Sequence, residues 1–243
     1  MTAEEKRHTV ACPSCGAENF VLQLRCETCG GYVRDRVPAL NLFATLWGML
    51  ESPGATILRV SKSEQKNYTH LLFAFCGPLL FAAALFAARI GDTTMPFGIL
   101  VLGIAVGGPV AGLLLLPLSA FWLRLLLRLI HGIRLRYRDA AAFLAWSLTP
   151  LMWASALLLP LMLGVFGILL FSTNPPPWDV LPLPFWSLGT LTVLSLPWSM
   201  LLLPLGFRVY GPRYGQLFAS LLLFWLLPAA ALVAAALLLR HLV

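Results

Sequence analysis

FGILVLGIAVGGPVAGLLLLPLSAF, residues 97–121, holds no charged side chain, and its reading decides the class of the protein. Crossing the hydrocarbon of a bilayer takes roughly 20 mainly apolar residues in a helix, and this stretch is long enough. Working outward, four more segments qualify, at about 69–88, 143–171, 183–205 and 217–239. The third is too long for one straight crossing. Its first turns, near Ala140 to Trp146, are expected at the membrane interface, and Pro150 and Pro160 are expected to bend the rest.

Composition agrees with this class. Hydrophobic residues make up 59% of the 243 and charged residues 11%, against about 25% charged in ordinary soluble domains. The charge is unevenly spread, because more than half of it lies in the first 67 residues. The N-terminal MTAEEKRH leads into cysteines and polar residues and not into an apolar signal region, so that segment is expected to stay on the side of synthesis.

Lys and Arg set the orientation, since basic loops are retained in the cytoplasm. Lys6, Arg7, Arg25, Arg34, Arg36, Arg59, Lys62 and Lys66 precede the first span. Arg124, Arg128, Arg134, Arg136 and Arg138 follow the second, and Arg208 and Arg213 follow the fourth. Only Arg89 and Arg240 fall on the other side, which predicts the N-terminus in the cytoplasm and the C-terminus across the membrane. The net charge of +7 therefore marks a membrane face that attracts anionic lipid, by up to about 1 kcal/mol per basic residue. Nucleic acid is not expected as a partner, because the charges are dispersed over three loops without a basic stripe interleaved with aromatics.

Cys12, Cys15, Cys26 and Cys29 follow C-x2-C-x10-C-x2-C, and Gly16 and Gly30 come directly after each pair. Such a turn lets two thiolates converge while glycine supplies the positive φ that closes the knuckle, and two turns complete a tetrahedral site. Zn2+ is the expected ion, with iron as a second candidate for four thiolates. Disulfides fit poorly with a reducing cytoplasm. A site filled by four protein sulfurs leaves no open position, so its role is structural. Metal binding would also fold a segment too short to build its own core. His8 is read as exposed and Cys76 as a packed apolar residue of the first span, while some of Phe20, Leu22, Leu24 and Tyr32 are expected to pack over the metal site and any left exposed to offer a partner surface.

Between ribbon and bundle, NLFATLWGMLESPGATILRVSKSEQKN, residues 41–67, reads as two amphipathic pieces split at Ser52-Pro53. Leu42, Phe43, Leu46, Trp47 and Leu50 recur at helical spacing and form one apolar face, too short to span. Two placements are open: in the interface plane with Trp47 at headgroup depth, or packed on the cytoplasmic end of the bundle.

The spans contain no Asp, Glu or Lys, whereas ion pumps and proton-coupled carriers usually need ionisable groups there. Prolines at 78, 109, 117, 150, 160, 197, 204 and 228 imply kinked packing. Gly103 with Gly107, and Gly108 with Gly112, favour close approach of another helix. Pro175 to Pro184 reads as a stiff outer connection. No nucleophile with a partner base, phosphate loop or metalloprotease helix is present, so an enzyme is not expected.

LWGMLESPGATILRV, residues 46–60, and YRDAAAFLAWSLTPLMWASALLLPL, residues 137–161, resemble the entry segment and third-span pattern of the Yip membrane domain, named for Ypt/Rab-interacting proteins. The similarity runs from about Leu40 to the C-terminus and includes five spans, and a ribbon in front is similar to prokaryotic members. The resemblance implies a role in membrane organisation and protein recruitment without supplying a settled activity.

The expected fold is thus an all-α polytopic membrane protein with five transmembrane helices, preceded by a small β zinc ribbon and an amphipathic connector. The divisions are 1–37 for the ribbon, 38–67 for the connector and 68–243 for the membrane domain. The expected function is a non-enzymatic scaffold or adaptor in a prokaryotic cytoplasmic membrane that contacts lipid and recruits a cytoplasmic protein through its zinc ribbon and basic face, in membrane organisation. The alternatives are an accessory subunit of a larger energy-transducing or transport complex and, behind it, a small-molecule carrier.

Overall fold

The structure is a computed structural model that describes residues 9–20, 23, 26–30, 33, 39–92, 95–207, 221 and 224. It is mostly helical, with one small sheet. Among the described residues, four helical stretches are long and apolar enough to cross a membrane: Thr69–Ala87, Phe97–His131, Thr149–Phe171 and Pro182–Phe207. Less than half of each is buried inside the protein, so their outer faces fit hydrocarbon. These are the first four expected spans. The fifth, 217–239, falls outside the described residues apart from Leu221 and Phe224, which are buried in the main core. Arg208, Arg213 and Arg240 also lie outside them.

The connector forms two helices, α1 (Leu42–Glu51) and α2 (Pro53–Lys62). Asn41 caps α1, its side chain accepting from the Ala44 amide at 3.1 Å. Pro53 pushes Ser52 out of helical geometry and starts α2, so the two helices meet at a corner. They cross closely there, because a Cβ on Gly48 would lie 2.5 Å from the Thr56 hydroxyl. The apolar face expected of α1 divides in two. Leu46 and Met49 are buried against the bundle, while Phe43 and Trp47 are 80% and 67% exposed. Leu46 and Met49 thus pack on the bundle, while Phe43 and Trp47 face away from it on the other side of the same helix.

Helix α3 (Thr69–Ala87) and α4 (Phe97–His131) make the most extensive pairing in the molecule. Glycine makes it possible. A Cβ on Gly77 would meet the Gly108 carbonyl oxygen at 2.0 Å, and one on Gly112 would meet that of Phe73 at 2.2 Å. Pro78 seats on Gly108 at the same crossing. The second glycine pair of α4 thus serves contact within the chain, whereas Gly103 faces open space. With 35 residues, α4 is about 52 Å long, well beyond the ~30 Å hydrocarbon thickness. It ends at Gly132, whose φ of 66° breaks the helix.

The segment after α4 is enclosed by protein. Helix α5 (Tyr137–Ser147) is separate from the span that follows, and every residue from Ala140 to Thr149 is buried. Its three consecutive alanines, Ala140 to Ala142, let α2, α3, α4 and the helix Pro182–Phe207 pack closely around it. Lys66 ties the connector to this helix: its ammonium lies 3.6 Å from the Asp139 carboxylate and donates to the carbonyls of Val60 at 2.6 Å and Ser61 at 3.0 Å. Burial pushes the Lys66 ammonium down from its usual value, and Asp139 draws it back.

The third span is built in pieces. Helix α6 (Thr149–Trp153) opens with Pro150 in its first turn, a π turn covers Ala154–Leu158, and α7 (Leu159–Phe166) carries Pro160 in its own first turn. Pro160 has no N–H to give to the carbonyl of the preceding turn, and the ladder widens there. Gly167–Phe171 finishes the span as a 3-10 turn. The short α8 (Pro177–Val180) leads into α9 (Pro182–Phe207), which returns to the connector end and packs Gly206 and Phe207 on Phe143.

At the far end Asp92 holds two loops together. Thr173 donates to it from its amide at 2.6 Å and from its hydroxyl, and Ser172 donates from its hydroxyl at 2.9 Å. The Thr173 amide contributes most to holding the Asp92 carboxyl below its usual value, helped by both hydroxyls and Arg89.

Candidate metal centre

The ribbon begins with β1 (Thr9–Ala11) and β2 (Glu18–Phe20), antiparallel, with Val10 opposite Asn19. The turn between them is the first cysteine knuckle. The Cys12 amide donates to the Ala17 carbonyl at 2.8 Å, and the Gly16 amide returns to the Cys12 carbonyl at 2.9 Å. Gly16 has φ 74°. The second knuckle repeats the pattern, with the Gly30 amide on the Cys26 carbonyl at 2.9 Å and φ 67°. Both glycines occupy the left-handed region that the C-x-x-C-G spacing requires.

All four sulfurs lie within 4.8 Å of one another. Cys12 Sγ is 3.7 Å from Cys29 Sγ, and Cys15 Sγ is 3.6 Å from Cys26 Sγ. Four sulfurs at Zn–S bonds of about 2.3 Å in a tetrahedron stand about 3.8 Å apart, so the cluster fits a four-thiolate ion. The separations are far too long for disulfides, which need about 2.05 Å, and all four cysteines are free. Cys12 and Cys26 are buried, while Cys15 and Cys29 reach the surface. Each knuckle contributes one inner and one outer ligand.

Backbone amides aim at the inner sulfurs. Hydrogen bonds from the Ser14 and Cys15 amides hold the Cys12 thiol below its ordinary value. The Cys29 amide, then the Thr28 amide and the Asn19 side chain, bring Cys26 down to about 6 against the opposing effect of burial. At Cys15 the Ala17 amide acts downward, but hydrogen bonds to Cys29 and Cys26 outweigh it and push the thiol up to about 12. The inner thiols are disposed to be thiolates, the form that a metal takes.

Asn19 is a member of this site that the cysteine spacing does not reveal. It is 5% exposed and donates from Nδ2 to the Ala17 carbonyl at 2.7 Å, while its Oδ1 accepts from the Glu27 amide at 3.2 Å. One side chain thereby joins the two knuckles and also touches Cys26. The sequence carries no mark of it: only the structure shows Asn19 as the buried, inward residue of a three-residue strand whose neighbours, Glu18 and Phe20, are exposed. Val33, Val10 and Ala17 complete the ribbon's small core around the inner cysteines. Phe20 is 52% exposed, and Leu22, Leu24, Tyr32 and His8 lie outside the described residues.

Four buried hydroxyls of the spans and α5 are spent locally. Ser147, Thr149, Ser195 and Ser199 donate to carbonyls three or four residues back in their own helices, at 2.6–2.9 Å. Cys76 is fully buried, as expected, with its thiol 3.7 Å from the Leu148 carbonyl.

Fold and site together define a bundle of membrane-spanning helices that carries a four-cysteine centre able to hold a metal ion. Comparisons with protein-family models, curated proteins and solved structures return no match.

Proposed function

We propose that the chain is a non-enzymatic membrane scaffold or adaptor of the Yip type, whose zinc ribbon recruits a protein at the cytoplasmic face of a prokaryotic inner membrane. The observation that carries this reading is the closed four-sulfur cluster. Its geometry accommodates an ion with no position left for water or substrate, and the two knuckles are too small to hold together on apolar contacts alone. A metal-folded module joined to a membrane bundle has its outer surface available for a partner, and exposed Phe20 contributes to that surface.

The test is purification of the full chain from native membranes beside the Cys12→Ser/Cys15→Ser double variant. The scaffold reading expects the variant to insert normally and to lose a defined set of co-purifying proteins. An unchanged set would contradict it.

A second reading, an accessory subunit of a larger membrane complex, draws on the outward face of α9. Leu183, Trp186 and Val193 are each more than 60% exposed there. Native sizing in mild detergent separates the two, since a solitary small particle excludes the subunit reading.

A further inference from the structure

Three arginines from two segments converge where α4 leaves its apolar stretch. Arg124 and Arg128 lie one helical turn apart on α4. Gly132 then reverses the chain, with its amide on the Arg128 carbonyl at 3.1 Å and the Ile133 amide on that of Leu127 at 3.2 Å. Beyond the turn, Ile133 and Leu135 are buried and Arg134 is exposed between them, so an extended alternation aims Arg134 outward. The result is a groove of about 200 Å³ lined by Arg124, Arg128, Arg134, Ile133 and Leu135. Among the described residues no carboxylate pairs with any of its three guanidinium groups.

Three like charges held around one concavity repel each other until an anion enters. Guanidinium is well matched to phosphate, which it can hold through paired N–H donors. The setting identifies what carries the phosphate. Arg124 follows directly on Leu123, where the uncharged stretch ends, which puts the groove at the polar end of this span, the depth of the headgroups. Leu118 and Phe121 are 64% and 53% exposed just before it, offering apolar surface for acyl chains.

We propose that this groove binds the phosphate of an anionic phospholipid headgroup. The site goes beyond the scaffold reading and does not depend on the ribbon. It does depend on α4 lying in a membrane.

The full chain, purified in a neutral detergent, is titrated by native mass spectrometry in three separate arms: dioctanoyl phosphatidylglycerol, dioctanoyl phosphatidylcholine and inorganic phosphate. Phosphatidylglycerol is expected to bind saturably as one molecule, at least about tenfold tighter than phosphatidylcholine, with each arginine contributing about fivefold. The triple variant Arg124→Gln/Arg128→Gln/Arg134→Gln is expected to bring phosphatidylglycerol to the phosphatidylcholine level. Arg59→Gln/Arg136→Gln/Arg138→Gln removes as many charges outside the groove and is expected to retain the preference. Thermal melting without lipid checks that both variants fold. If the triple variant does not fold, Arg134→Gln alone is expected to show the fivefold loss. Equal binding of the two lipids, equal loss in both triple variants, no loss in Arg134→Gln, or saturable binding of inorganic phosphate alone would each overturn the proposal.

Discussion

Asn19 contributes no sulfur, yet it holds the two halves of the metal centre in register by bonding the Ala17 carbonyl, the Glu27 amide and Cys26. Asn19→Ala is expected to keep one ion per chain but to weaken metal affinity by about 10- to 100-fold, as for other groups that orient metal ligands. Competition with a chromophoric chelator measures that loss. The four cysteines and two glycines were legible in the sequence because their spacing is dictated by the metal and by one φ angle. Asn19 was not, because one polar residue in a strand carries no periodic signal. Asp92 was also missed as a link between distant loops, since its partners Ser172 and Thr173 lie about 80 positions away. Its carboxyl is held below the usual value, so its contribution is present above about pH 4 and is lost as pH falls through the lower folded value. Thermal melting of Asp92→Asn against the parent is expected to show a difference of about 1 kcal/mol or less at pH 7, because the site is exposed. The difference is expected to shrink as pH falls through that lowered value.

Among the elements, the pairing of α3 and α4 depends most visibly on single positions. Gly77→Ala places a methyl group 2.0 Å from the Gly108 carbonyl oxygen, so the helices must separate. A loss of about 1–3 kcal/mol or more is expected. Gly103→Ala, in open space, is expected to be neutral or slightly stabilising. Thermal melting of the two variants in detergent tests the pair, and equal effects would refute the intramolecular role of the glycines. The existence of these two spans was readable from length and hydropathy alone. The place of α5 was not. Tyr137 to Ser147 runs into the apolar residues of the next span without a change in composition, and the break at Leu148 is imposed by Pro150 and by packing on four neighbouring helices. The divided face of α1 escaped for a related reason. Periodicity shows that Leu46 and Trp47 are apolar, but it does not show which of them meets protein.

At the scale of the whole molecule, the connector is clamped to the bundle through buried Lys66, Leu46, Met49 and Val60, so the elements that lead out of the ribbon are anchored at one end of the helices. The same end carries the three-arginine groove. Such an arrangement gives the metal module a fixed starting point on the membrane while leaving its own small core, around Cys12, Cys26 and Val33, separate from the main one. A resident metal ion is expected to organise this module. Metal analysis of the full chain extracted from membranes, by inductively coupled plasma mass spectrometry with protein quantified on the same sample, tests this directly. About one equivalent of zinc per chain is expected, lost in Cys12→Ser/Cys15→Ser while the variant remains in the membrane fraction. A parent protein free of bound metal, or a variant that retains the full equivalent, would contradict it.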